Sequence, residues 1–162
     1  MENKRFLLFS SEKLLSCSAS GINNDIAALN AVIAEKGLYL TQNDVREIVR
    51  VRMRALVENC RFEIGIASIE KIVNSIYTSP FVNRSNFTET LCTFIRLFYY
   101  IKTASYDSIS DEDVIRVLKD MYENVCYGSL KEMKGKEVDI ILNYIDLERK
   151  RRQPSEEAEV GT

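Results

Sequence analysis

Arg52, Arg61 and Glu63 are the residues whose types and spacing first suggest chemistry. From Thr41 to Arg61 the chain reads TQNDVREIVRVRMRALVENCR. At the helical period Val45, Ile48, Val49, Leu56 and Cys60 share one face, and Arg52 stands in the middle of it. A guanidinium on an apolar face needs a partner, because an uncompensated buried charge is strongly destabilising. Glu63 is the first candidate, as the acidic half of a buried or half-buried pair. The functional alternative is a small polar pocket in which Arg52, Arg61 and Glu63 bind an anionic ligand or serve an enzyme. The planar fork of arginine suits a carboxylate or phosphate.

The same helix carries Arg46, Arg50 and Arg54, with Arg61 beyond them, as a basic stripe that could follow a phosphate backbone. Arg149 to Arg152 form a second basic run. Glu47 and Glu58 border the stripe at pairing distance, so a solvated, internally neutralised face is the competing reading.

Asp107, Asp111, Glu112 and Asp113 resemble metal ligands only in composition. An EF-hand loop needs a central glycine that YDSISDEDVIRV lacks, and helix capping accounts for the acids. Cys17, Cys60, Cys92 and Cys126 include no CxxC pair, and the chain has no histidine to complete a mixed zinc site. The lack of histidine also removes the Ser-His-Asp and Cys-His templates. Neither GxGxxG nor GxxxxGK[ST] occurs. The residues call for no metal and no cofactor, and no catalytic residue is assigned.

The elements that must position these residues read as helices. At 162 residues, 46% hydrophobic and 28% charged, the chain has ordinary globular composition. A chain of this size buries roughly 70% of its unfolded surface without a disulfide or metal staple. The formal net charge of -2 gives no overall attraction to nucleic acid or anionic membrane. The apolar run Leu91–Ile101 is about half the length of a bilayer span and contains Arg96, so it reads as core. The N-terminal apolar run stops at Ser10, Ser11 and Glu12, too early for a signal-peptide core. Four reduced thiols in the cytoplasm follow as the expectation.

An amphipathic segment is expected over Phe6 to about Ser16, then a break at SASG ending at Gly21. Asn23 or Asn24 should cap a helix through Ala27, Leu29, Val32 and Ile33 that stops near Gly37. Thr41 with Asp44 forms a shortened capping box for the arginine-bearing helix, expected to reach about Asn59. Ile69, Ile72, Val73 and Ile76 mark a helix that Pro80 ends. Asn86 with Glu89 opens a helix apolar on nearly every side, suited to the centre of a bundle. Ser110 caps a helix that Gly128 closes, and Ser129 with Glu132 opens a last region split near Gly135. There the apolar positions are Leu130, Met133, Val138, Ile141, Leu142 and Ile145. Beyond Pro154 the acidic SEEAEVGT has too little apolar surface to order itself.

From Leu40 to Leu130 the chain resembles an uncharacterised bacterial family, mostly of Firmicutes, whose function is unknown. The resemblance lies in Leu40–Thr41, Arg52 with Ala55–Leu56, Arg61, Glu63, Gly65, and Ser79–Pro80. It continues through Glu89–Leu91, Phe98–Tyr100, Lys102, Ser110–Asp111, Cys126 and Gly128–Leu130. In the resembled pattern a glycine often stands at the place of Cys60 and a phenylalanine at that of Ile64. The resemblance implies a small soluble bacterial protein and supplies no activity.

The expectation is therefore an all-α protein: one compact bundle of six or seven helices over residues 1–152, with a disordered acidic tail over 153–162. As a function it suggests a cytoplasmic binding or interaction module, with a protein partner or self-association through a helical face and no membrane. Regulatory nucleic-acid binding through the Arg46, Arg50, Arg54 and Arg61 stripe is one alternative. The Arg52, Arg61 and Glu63 pocket is the other.

Overall fold

The computed structural model describes residues 21–152, and every regular element among them is helical. The expected Phe6–Ser16 segment, Cys17, most of the SASG break and the tail after Pro154 lie outside the described residues. Residues 21–28 form α1. There follow α2 (Asn30–Ile33), a 3-10 turn (Ala34–Lys36), α3 (Gln42–Glu58), α4 (Ala67–Ile76), α5 (Phe87–Ala104), α6 (Asp111–Asp120), α7 (Leu130–Met133) and α8 (Glu137–Arg152).

The helix starts follow local hydrogen-bond chemistry. Thr41 accepts from the Asp44 N–H while the Asp44 carboxylate accepts from the Thr41 N–H, so the shortened capping box forms in both directions. Ser110 and Ser129 cap α6 and α7 by accepting from Asp113 and Glu132. Gly37, in the left-handed conformation, ends the 3-10 turn after α2.

Three local expectations are corrected. Asn23 and Asn24 lie inside α1 rather than at its cap, because the chain is already helical at residue 21. Asn86 precedes α5 but makes no side-chain cap bond. Its side chain instead closes the preceding loop, accepting from Asn83 and donating to Phe81. In α8 the core side is set by Ile140, and Val138, Leu142 and Ile145 face solvent. The break at Gly135 lets α8 take the rotation that docks it on α5 and α6 instead of continuing the phase of α7.

Helix α5 is the axis of the bundle and packs against α3, α4, α6 and α8. Leu91, Phe94, Ile95, Phe98 and Tyr99 are buried along it. Phe94 meets Tyr122 edge-on at 5.6 Å, a favoured aromatic geometry. Tyr122 belongs to a π-helical turn, Met121–Val125, that prolongs α6. The segment then turns at Gly128, whose φ is +78°. None of the described helices is long and apolar enough to cross a membrane.

Candidate functional site

Two helix ends build the site. Helix α3 finishes with Cys60 in the left-handed region at φ +52°. The Cys60 N–H donates to Val57 and the Arg61 N–H to Leu56, the pair of bonds that defines a Schellman motif. Helix α5 finishes the same way. Tyr106 has φ +52°, its N–H donates to Thr103, and the Asp107 N–H donates to Lys102. The residue after each left-handed turn then reaches across: Arg61 and Asp107 pair through two contacts, of 2.8 and 3.1 Å. Arg61 also donates to Thr103 at 3.3 Å.

Beyond Arg61 the chain runs through Phe62, Glu63 and Ile64 to Gly65, and alternate residues face opposite ways. Arg61 and Glu63 are half-buried, whereas Phe62 and Ile64 are 83% and 85% exposed. Carbonyl direction alternates too. The Arg52 guanidinium, 1% exposed, donates through Nη2 to the carbonyls of Glu63 at 3.0 Å and Gly65 at 2.7 Å. This is the period-two habit of an extended strand.

Arg52 is thus buried as its helical position requires, but its partner is not a carboxylate. It holds the backbone of Glu63, and the Glu63 side chain goes elsewhere. One carboxylate oxygen accepts from Ser68 at 2.7 Å and the other from the Tyr99 hydroxyl. Burial, then the neighbouring Glu63 carboxylate, pushes the Tyr99 hydroxyl pKa well above its ordinary value.

Lys102, buried near the end of α5, completes the network. Its ammonium donates to the Ile109 carbonyl at 2.6 Å and pairs with Asp111 at 3.0 Å and Asp107 at 3.7 Å. Hydrogen bonds from Arg61 hold the Asp107 carboxyl below the usual carboxylate range. Burial pushes Asp111 upward, but Lys102 and Lys71 outweigh it and leave that carboxyl lowered as well.

Arg61, Glu63, Ser68, Tyr99, Lys102 and Asp111 line a pocket of about 210 Å³. Arg52 is not in its wall. Around the pocket Glu63 accepts two hydroxyls, Arg61 holds Asp107 and Lys102 holds Asp111, whereas behind it the buried Arg52 Nε has no hydrogen-bond partner. An anion seeking the Arg61 fork would have to displace Asp107. The network ties the Arg61–Gly65 segment to α5 and to the start of α6.

The basic stripe divides. Arg46, Arg50 and Arg54 are exposed on α3, but Arg50 is held by both oxygens of Glu47. Arg61 has left the helix and belongs to the Asp107 pair. Of the cysteines, Cys60 is exposed, while Cys92 and Cys126 are buried free thiols. Burial raises the Cys92 pKa to about 12, which keeps it an unreactive thiol.

Tyr99, Ser68 and Lys102 escape a reading of single helices, since Tyr99 lies 36 positions from Glu63. The legible signal was Lys102 itself, a cation closing the most apolar helix of the chain. A family of unknown function (DUF6323) matches residues 25–151. The chain belongs to this family. The matched DUF6323 region contains both helix ends, the extended segment and every anchoring residue named above. No curated protein and no solved structure matches the chain.

Proposed function

We propose that this DUF6323 protein is a binding module whose contact surface is the Arg61–Gly65 segment, with Phe62 and Ile64 as apolar anchors for a protein partner. One observation carries the reading: two large side chains, 83% and 85% exposed, stand on a segment whose intervening residues are tied down. A loop that only connected α3 to α4 would gain nothing from exposing them. Arg52 fixes the backbone from behind, Arg61 and Glu63 fix the side chains facing inward, and Phe62 and Ile64 are left projecting. Preorganisation of this kind lowers the ordering cost of binding, and rigid apolar anchors are the usual energetic centre of an interface.

The protein works in a reducing compartment, the cytoplasm, with Cys60, Cys92 and Cys126 as thiols. The test is photo-crosslinking in the cells that make the protein, from a photoreactive residue at position 62 or 64 and, as a control, at exposed position 112. A discrete heavier adduct from 62 and 64 but not from 112, and lost on Arg52→Met, is the expected result. Equal labelling from all three positions, or none, contradicts the reading.

A further inference from the structure

Helix α8 presents a second apolar surface, remote from Phe62 in sequence and carried by different residues. Val138, Leu142 and Ile145 are 63%, 56% and 47% exposed. Steps of four and then three place them in one row along the helix, and the next step of four continues the row into Arg149. The buried side of α8 is held by Ile140 against α5 and α6, so the row points away from the bundle.

Charge is segregated along the same helix. Glu137 and Asp139 occupy its first turn, and Arg149, Lys150, Arg151 and Arg152 its last. Asp139 pairs with Lys136, Asp146 with Lys150, and Arg151 with Glu148 and Asp113. Among the described residues, Glu137, Arg149 and Arg152 have no ion-pair partner. Among the described residues the helix thus keeps one unpaired acid, Glu137, in its first turn and two unpaired arginines in its last, with an apolar row between.

A parallel neighbour with the same charge order would set base against base. An antiparallel copy sets each acidic first turn against a basic last turn. A two-fold axis passing between Leu142 and Ile145 brings Leu142 against Ile145 of the partner subunit, and by symmetry the reverse. The same operation lays the methylene stem of Arg149 over Val138 of the partner subunit and its guanidinium beside the acidic first turn there. We infer that α8 is a self-association surface and that its occupant is a second copy of this chain, packed antiparallel about that axis. A single helix pair is small for an interface, so the association is concentration-dependent.

Light-scattering mass of the full chain on gel filtration, over a hundredfold range of concentration, tests this. The mass should rise from one chain toward two. Leu142→Glu should raise the dissociation constant by about tenfold or more without lowering the melting temperature, since Leu142 supports no core contact. Arg149→Glu with Arg152→Glu should weaken association, as should Glu137→Lys with Asp139→Lys. An equimolar mixture of those two double variants should recover the dimer, because the heterodimer then aligns opposite charges at both ends, which neither variant can do with a copy of itself. A monomer at every concentration overturns the inference, whether the row is bare, covered by the chain's own residues 1–20 or taken by another protein. A dimer indifferent to Leu142→Glu, or charge variants that fail to complement, overturns it as well.

Discussion

Arg61 and Asp107 occupy equivalent hydrogen-bonding positions at two helix ends, with Asp107 itself left-handed at φ +56°. Each follows a left-handed residue, Cys60 or Tyr106, that ends a long helix through a Schellman motif, and their side chains pair at 2.8 Å. The pair ties the exits of α3 and α5 together, 46 residues apart, and fixes the start of the segment that carries Phe62 and Ile64. Exposed ion pairs contribute little to stability, so the value of this one lies in position rather than energy.

Arg52 supplies the energetic anchor. Arg52→Met removes two charge-assisted bonds and leaves the Glu63 and Gly65 carbonyls without their donor. Relief of guanidinium desolvation offsets part of this, and the net loss should be about 2 to 3 kcal/mol. Denaturant unfolding checks the magnitude. Amide exchange should accelerate first at residues 61 to 66, and uniform acceleration across α3 would show that Arg52 supports the helix rather than the segment.

Left-handed residues give opposite expectations at two glycine-type positions. Cys60 carries a side chain at φ +52°, so Cys60→Gly should stabilise the fold by about 1 kcal/mol. Gly128 has φ +78°, and a Cβ there would meet the Phe81 ring at 2.6 Å. Gly128→Ala should therefore cost about 2 kcal/mol or more. Thermal melts of the two variants should move in opposite directions.

Stability should fall at both extremes of pH through this one network. Asp107 has a carboxyl lowered below its ordinary 3.8 by bonds from Arg61. The unfolded chain takes up that proton first, so the contribution is present above pH 3.8 and lost as pH falls through the lowered value. Asp107→Asn should flatten the acid limb of the stability profile. The Tyr99 hydroxyl moves the other way, raised above 10.0 by burial and then by Glu63. The unfolded chain ionises near pH 10.0 while the fold keeps the proton, so stability declines as pH rises beyond that point. Tyr99→Phe should remove that part of the alkaline slope, and in phenolate absorbance of the native protein Tyr99, like the buried Tyr122, should stay out of the set that titrates near pH 10.0.

Much of this was readable from local pattern. The Thr41–Asp44 box, the Ser110 and Ser129 caps and the terminator at Gly37 depend on neighbours within a few positions, which the sequence displays directly. The burial of Arg52 followed from the helical period alone. Its partner did not, because the period says which face a residue takes and nothing about whether a carbonyl or a carboxylate waits there. Arg61 joins Arg46, Arg50 and Arg54 only if the helical period continues through Cys60, and the left-handed turn at that cysteine ends it. Glu63 with Tyr99, and Lys102 with Asp111, depend on how α5 sits between α4 and α6, which no window of sequence contains. The outward turn of Val138, Leu142 and Ile145 was hidden for a related reason: an amphipathic stripe does not say which face the core selects once a glycine has uncoupled the helix from its predecessor.

In the proposed function the buried anchors hold Phe62 and Ile64 out toward a partner. Adduct yield from a photoreactive residue at position 64, measured in cells with Arg52 intact and with Arg52→Met at a temperature where both proteins are folded, tests it most directly. The yield should fall severalfold in the variant while circular dichroism shows the helices intact. An equal yield from both proteins would contradict the claim, since it would mean that whatever meets Ile64 does so without the segment being held.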